Sequence, residues 1–221
     1  MSNVIPWDFS VIPEKFFLFR DAALLTLEIT TLGILTGLVL GLMVALGKLS
    51  QHKITSKIAS GYIFIIRGTP LLLQLFIIYY GLTSIVTIPP FPSAIIALGV
   101  HNGAYIGEIF RGAIQSIHYG QMEAARSLGM THRKAMRRII LPQAFKRAVP
   151  PLGNQFIIAL KDSSLASTIA VPELLLRGRQ MGSSTFMYME MLIIVALWYL
   201  IMTSVLTYAV HRLEQIGRAH V

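Results

Sequence analysis

Five long apolar stretches, separated by short polar segments, constrain this chain more than any other feature of its sequence. A helix needs about 20 mostly apolar residues to cross the hydrocarbon core of a bilayer. With 54% hydrophobic and only 13% charged residues, the chain is also too apolar for an ordinary soluble domain. We therefore predict an all-α, polytopic membrane protein with about five transmembrane helices. The predicted spans are 22–47, 70–86, 93–114, 149–170 and 191–210.

The distribution of basic residues predicts how these helices are oriented. Lys and Arg cluster in 48–57 and in 126–147, whereas 81–92 carries no charge. Because cytoplasmic loops are enriched in Lys and Arg, we expect both basic segments to be cytoplasmic and 81–92 to be external. We therefore interpret the net charge of +9 as a topology signal, and we expect no nucleic-acid partner. Five crossings then place the N-terminus outside and the C-terminus in the cytoplasm.

The predicted spans divide the chain into an external N-terminal segment, 1–21, a transmembrane domain, 22–213, and a tail, 214–221. The N-terminal segment lacks the basic start and apolar core of a cleavable signal peptide. The absence of cysteine excludes disulfides and thiol chemistry. Residues 216–221, Ile-Gly-Arg-Ala-His-Val, read like the translation of a common sequencing adapter. We expect these six residues to be an artefact, with the natural C-terminus missing.

The loop 120–142 carries the most specific motif of the chain. It has Glu-Ala-Ala at 123–125 and Gly129, followed after nine residues by Ile139 and then by Leu-Pro at 141–142. This spacing resembles the EAA loop of ABC-importer permeases, the cytoplasmic element that docks on an ATPase subunit. The chain has no ATP-binding sequence of its own, so a separate ATPase partner is implied.

Local residue chemistry predicts two short helices in this loop. Good helix formers fill 121–128, and Gly129 can adopt the left-handed conformation that ends a helix. Thr131 stands where the N-cap of a second helix, 132–140, would lie. We expect Pro142 to end that second helix and to redirect the chain.

Polar residues interrupt the third and fourth predicted spans. His101 and Asn102 lie in the third span, and Gln155, Asp162 and Ser163 lie in the fourth. Polar and charged groups at membrane depth are costly, so we expect these side chains to line a cavity or to contact a partner helix. The polar run that begins at Asp162 is expected to interrupt its helix and to expose backbone groups to a ligand. Substrate contact and purely structural packing both remain open for these residues.

Two further patterns predict how the helices pack. Small residues recur at every fourth position of the first span: Gly33, Gly37, Gly41 and Ala45. Such a stripe lets another helix approach closely, and we favour packing within the subunit over a subunit interface. Glu108 and Arg111 are three residues apart and are predicted to pair on one helix face, as a structural ion pair rather than a gate.

Three motifs together resemble the polar amino acid permease family, the histidine, glutamine, arginine and cystine branch of type I ABC importers. They are the Glu-Ala-Ala loop, Arg-Gly-Thr-Pro at 67–70 and Lys-Asp-Ser-Ser-Leu-Ala at 161–166. The resemblance covers about residues 20–213 and implies a type I ABC importer permease fold in the bacterial inner membrane. It implies two permease subunits, identical or paralogous, a dimer of cytoplasmic ATPases and an extracytoplasmic solute-binding protein. ATP hydrolysis then belongs to a partner, and no enzyme activity, cofactor or metal is expected here.

The resemblance also implies roles for individual residues. The residues that would couple the permease to the ATPase are Glu123, Ala124, Ala125, Arg126 and Gly129. The polar residues that would contact the amino acid substrate are His101, Asn102, Gln155, Asp162 and Ser163. In arginine-type relatives, acidic side chains stand at the positions of Gln155 and Asp162. Because Gln155 is neutral, we expect a polar neutral amino acid or cystine as substrate.

Four other classes of protein fit the sequence less well. A channel would need a selectivity filter or a ring of charges, and neither is apparent. A membrane-embedded enzyme would need clustered ligands or acid–base groups, but the six His residues are scattered. A fused ATPase is excluded because the closest P-loop lookalike, at Gly47, lacks the upstream glycine and the Ser or Thr that the motif requires. An ion-coupled secondary amino acid transporter is the remaining alternative, although the internal repeats typical of that class are not visible.

Overall fold

The computed structural model describes residues 7–218, and all regular structure in that range is helical. The ten α-helices are α1 (Val11–Phe16), α2 (Arg20–Leu49), α3 (Lys53–Arg67), α4 (Leu71–Phe76), α5 (Pro90–Gln115), α6 (Tyr119–Ser127), α7 (His132–Ala135), α8 (Leu141–Asp162), α9 (Leu174–Thr185) and α10 (Tyr188–Arg218). Two 3₁₀ segments, Phe17–Phe19 and Ser163–Ile169, and two π turns, Ile77–Gly81 and Met136–Ile140, complete the helical structure. The start of the predicted external segment, 1–6, and residues 219–221 of the adapter-like tail lie outside the described range.

The long helices agree with an all-α membrane protein. Within the described residues, Val11–Leu49 and Tyr188–Gln215 are each long and apolar enough to cross a membrane alone. The pair formed by α3 and α4 qualifies as one broken span, with an angle of 103° between its two parts. The helices α5 and α8, with 26 and 22 residues, are long enough but more polar. Their most buried polar side chains face other helices, which makes this polarity compatible with a membrane.

The second predicted span differs from the structure at its start. The sequence places a polar connection before Pro70, but α3 already begins at Lys53. The basic and polar residues at the start of α3 do not form a loop. They lie on one side of an amphipathic helix. The helix α3 ends at Arg67 with Gly68 as its C-cap, and Pro70, with extended backbone, is the N-cap of α4.

Glycine stripes on α2 and α5 interlock, and the contact between these two helices is the most extensive one in the described chain. A Cβ added to Gly33 would lie 2.7 Å from Leu98 Cβ, and one added to Gly41 would lie 2.6 Å from Ile106 Cγ2. The glycines of α5 that face α2 in return are Gly99, Gly103 and Gly107. Backbones this close leave no room for side chains. The prediction that the α2 stripe packs within the subunit is therefore confirmed.

Pro142 does not end the second loop helix, and this prediction is wrong. The π turn Met136–Ile140 follows α7 and runs directly into α8, so that Pro142 lies in the first turn of α8. A proline is tolerated there because its missing N–H has no helical partner to lose. The wide π turn before it accommodates the ring. The second half of the loop and the fourth span therefore form one continuous helical path from His132 to Asp162.

A buried carboxylate fixes the start of α9, next to the 3₁₀ segment. Glu173 is fully buried, and its carboxylate accepts hydrogen bonds from the backbone N–H groups of Leu175 (2.9 Å) and Leu176 (2.8 Å) and from the Tyr199 hydroxyl (3.1 Å). Burial raises the pKa of Glu173 to about 7, and the three donated hydrogen bonds oppose that rise. The side chain thus joins α9 to α10.

We expect Glu173→Ala to lower the free energy of unfolding by about 3 kcal/mol. The substitution removes an N-cap and leaves buried donors without an acceptor. Thermal unfolding of the purified chain in detergent measures the effect. Tyr199→Phe, which removes only one of the three hydrogen bonds, is the graded control and should cost about 1 kcal/mol. Equal stability of the Glu173→Ala and wild-type chains would contradict this role.

Candidate substrate and ATPase-docking sites

The helix α6 of the Glu-Ala-Ala motif has defined ends. His118 precedes it, and the Nδ1 atom of His118 accepts a hydrogen bond from the N–H of Gly120 (3.1 Å). At the other end Gly129 has a φ of +78°, and its N–H donates to the Arg126 carbonyl (2.9 Å). This left-handed residue closes the helix as glycine typically does. The predicted helix end at Gly129 is confirmed.

The docking loop 120–142 presents part of its motif to the surroundings. Glu123, Ala124 and Arg126 are exposed, and Leu128 is 82% exposed. Ala125 is instead buried, with 2% exposure, and faces the chain itself. Of the five predicted coupling residues, Ala125 therefore holds α6 in place, while the other four, including Gly129, are accessible.

Two polar contacts secure this loop. The Thr131 hydroxyl caps α7 by accepting a hydrogen bond from the N–H of Lys134 (3.3 Å), as the sequence predicts. Arg147 of α8 donates to both the carbonyl and the hydroxyl oxygen of Ser116, just beyond α5. The second contact joins α8 to the end of α5, three residues before α6 begins.

Two of the predicted substrate residues contact each other inside the helix bundle. The Gln155 side-chain amide donates to Asn102 Oδ1 (2.8 Å), and the Asn102 amide donates to the Leu98 carbonyl (2.8 Å). Both side chains are buried. This pair joins α5 to α8 at membrane depth.

His101 lies on a different face of α5, beside the bend between α3 and α4. Its Nδ1 atom is 3.2 Å from Gln74 Oε1. The Gln74 amide donates to the carbonyls of Ile66 (2.9 Å) and Thr69 (3.1 Å), which the bend leaves without helical partners. Sequence reasoning missed Gln74, although it is the one polar side chain in the apolar run 71–78.

Asp162 and Ser163 lie at the point where α8 stops being regular. The chain continues from Asp162 into the 3₁₀ segment, which confirms the predicted interruption. Ser163 is buried and donates to the Leu160 carbonyl (2.8 Å). Asp162 is half-buried, and within the described side chains 7–215 it accepts no hydrogen bond. No hydrogen bond among those residues links Asp162, Gln155 and His101 to one another.

The predicted pair of Glu108 and Arg111 is confirmed. Arg111 Nη2 lies 2.7 Å from Glu108 Oε2, and Lys48 Nζ of α2 lies 3.1 Å from Glu108 Oε1. Lys48 was not predicted as a partner because it is 60 residues away in sequence. The carboxylate thus has two cationic partners in the C-terminal third of α5.

Comparison with known proteins places these elements in a family. Residues 37–215 match the family described as the binding-protein-dependent transport system inner membrane component. The chain is 43% identical to the L-cystine transport system permease protein TcyB of Bacillus subtilis, over 83% of this chain and 78% of that protein. It is 40% identical to the glutamine transport system permease protein GlnP of Escherichia coli, over 95% of this chain and 97% of that protein.

Solved structures agree with the sequence comparisons. A crystal structure of an amino acid ABC transporter with histidines superposes with a TM-score of 0.91 at 42% identity, over 96% of this chain and 99% of that chain. An inward-facing MetNI methionine transporter superposes with a TM-score of 0.72, and at 22% identity it supports the fold alone. The alternative of an ion-coupled secondary transporter is thereby set aside. The chain belongs to the family of binding-protein-dependent transport system inner membrane components, and it is the non-catalytic permease subunit of an amino acid ABC importer that works with a separate ATPase and a binding protein.

Proposed function

We propose that this permease imports a polar neutral amino acid or cystine. The observation that carries this proposal is Asp162, a half-buried carboxylate at the break that follows α8, which accepts no hydrogen bond from the described side chains 7–215. An unsatisfied carboxylate at membrane depth needs a cationic or hydrogen-bonding partner, and the ammonium group of an amino acid supplies one. Because Gln155 is neutral, it supplies no second negative charge to bind a substrate that has a cationic side chain. The similarity to cystine and glutamine permeases supports the same substrate class.

The assembly that fits this proposal contains two permease subunits, identical or paralogous, and two ATPases. The ATPases bind the exposed face of α6 through Glu123, Ala124, Arg126 and Leu128, with Gly129 setting the turn. The N-terminus lies outside, the C-terminus lies in the cytoplasm, and the solute-binding protein docks on the external side. The basic residues of the loop, next to the cytoplasmic leaflet, support this orientation.

Transport then proceeds by alternating access. ATP binding closes the ATPase dimer, draws the two α6 helices together and opens the cavity near Asp162 and Gln155 to the outside; hydrolysis resets it inward. The amino acid biases this cycle only through different affinities for the two states. In the described conformation Gln155 donates to Asn102 Oδ1, so the substrate competes with that hydrogen bond for these two groups, whereas Gln155 Oε1 can accept from the substrate without opening it.

We expect Asp162→Ala to reduce substrate-stimulated ATP hydrolysis about tenfold, which corresponds to one charge-assisted hydrogen bond. The assay uses proteoliposomes that contain the permease, its ATPase and its binding protein, and that are supplied with L-glutamine, L-cystine or L-arginine. Asp162→Asn keeps the shape of the side chain and should lose nearly as much stimulation, since the charge is what is proposed to matter. Copurification of the ATPase should be unchanged in both variants. Unchanged stimulation, or dissociation of the ATPase, would contradict substrate binding by Asp162.

A further inference from the structure

The last residue of α3, Arg67, carries its charge at membrane depth. The Arg67 Cζ atom lies 5.2 Å from the centroid of the Tyr105 ring. Tyr105 is about 22 Å along α5 from Pro90 and about 15 Å from Gln115, at a rise of 1.5 Å per residue. Both ends of α5 are therefore well separated from this guanidinium. Tyr105 itself lies about one helical turn farther from the C-terminal end of α5 than Glu108 does.

The environment of Arg67 differs from that of the other charges on this part of the chain. Glu108, Arg111 and Lys48 neutralise one another in the ion pairs described above. Arg67 is exposed, and within the described side chains 7–215 it has no carboxylate within 4.0 Å and donates no hydrogen bond. A guanidinium that faced hydrocarbon in this way would be strongly disfavoured. An exposed arginine at this depth therefore faces a water-filled path or an anion.

The position of the guanidinium is well defined. Arg67 directly precedes the bend at Gly68, and Gln74 ties down that bend through the Ile66 and Thr69 carbonyls. Tyr105 contacts the guanidinium through the face of its ring, as in other cation–π pairs. A cation–π contact of this kind occupies no N–H donor, and the guanidinium carries five of them. They remain available to a ligand that approaches edge-on.

The chemistry of these donors selects a planar anion with two oxygen atoms. Arginine binds carboxylates through two parallel hydrogen bonds, a geometry that lysine does not reproduce. Every amino acid carries such a group at its α-carbon, whatever its side chain. We propose that Arg67, held over the Tyr105 ring, binds the α-carboxylate of the transported amino acid. This inference rests on the proposed function. Asp162 binds the ammonium group of the amino acid, and Arg67 binds its α-carboxylate.

The test compares an amino acid with its α-amide, which lacks the carboxylate. Purified permease–ATPase complex in detergent is titrated with whichever of L-glutamine, L-cystine or L-arginine the wild type binds most tightly, and with the amide of that amino acid. The wild type should prefer the acid about tenfold or more, as expected for a charge-assisted, bidentate contact. Arg67→Gln should bind the acid more weakly by a similar factor and should no longer distinguish it from the amide. Arg67→Lys should retain part of the preference.

Two controls separate recognition from structure. Arg179→Gln removes an exposed arginine of α9, outside the predicted spans, and should leave the preference unchanged. Size-exclusion chromatography should show the same subunit composition for wild type and Arg67→Gln. Full discrimination by Arg67→Gln would overturn the proposal, and so would separation of the permease subunits in that variant, since Arg67 would then be an interface residue. A wild type that binds none of the three amino acids would refute the proposed function as well.

Discussion

Replacement of Gly129 by arginine is expected to reduce ATP-driven amino acid uptake to background while the permease remains in the membrane. Gly129 has a φ of +78°, a conformation that costs about 1 kcal/mol or more for a residue with a Cβ atom. Among the described residues, a Cβ at this position would meet no atom within 4 Å beyond its chain neighbours. The damage must therefore come from the altered turn after α6 and from the arginine side chain at the docking surface, rather than from a disturbed core.

A series of substitutions separates these two causes. Asparagine tolerates the left-handed conformation, so Gly129→Asn should keep most of the uptake. Gly129→Ala adds backbone strain with little bulk and should give an intermediate rate. Uptake is measured in cells, with the amount of each variant in the membrane determined in parallel. Wild-type uptake by Gly129→Arg at equal abundance would remove this turn from the coupling mechanism.

Replacement of Gly41 by leucine is expected to destabilise the helix bundle by about 3 kcal/mol, at the upper end of typical overpacking costs. Its Cβ would come within 2.8 Å of Ile106 Cβ and within 3.0 Å of the Gly107 backbone nitrogen. A side chain at this point can be accommodated only if α2 and α5 move apart. That movement would also disturb Asn102, which lies one helical turn from Ile106 on α5. Substrate transport should therefore be lost together with stability.

Gly61→Leu provides the matched control for this prediction. Gly61 lies within α3, and a Cβ there would meet nothing within 4 Å. Both substitutions add the same side chain to a helix, so the difference between them isolates the contact of α2 with α5. Thermal unfolding in detergent should show a lower midpoint for Gly41→Leu and an almost unchanged one for Gly61→Leu. Equal midpoints would mean that the glycine contact contributes little to stability.

Features determined by neighbouring residues were predicted well from the sequence. Apolar runs locate the long helices, and the turn at Gly129 and the cap at Thr131 follow from local backbone chemistry. The break after Asp162 was likewise apparent as a run of polar residues that cannot continue a membrane helix at low cost. In each of these cases the relevant interactions span only a few residues.

Features that depend on contacts distant in sequence were missed or remained ambiguous. The Asn102–Gln155 hydrogen bond joins residues 53 apart, and only the packed helices reveal it. Gln74 bonds to carbonyls that become free only because α3 and α4 meet at a sharp angle. The error at Pro142 has the same origin, since a π turn cannot be anticipated from residue preferences alone.

The most direct test of this account is copurification of the tagged chain from the membranes of its native host. We expect an ATPase with a P-loop sequence to copurify with the wild-type permease in stoichiometric amounts. The same preparation from Gly129→Arg cells should contain the permease with little or no ATPase. If no ATPase accompanies the wild type, or if Gly129→Arg retains it fully, the loop 120–142 is not the docking element.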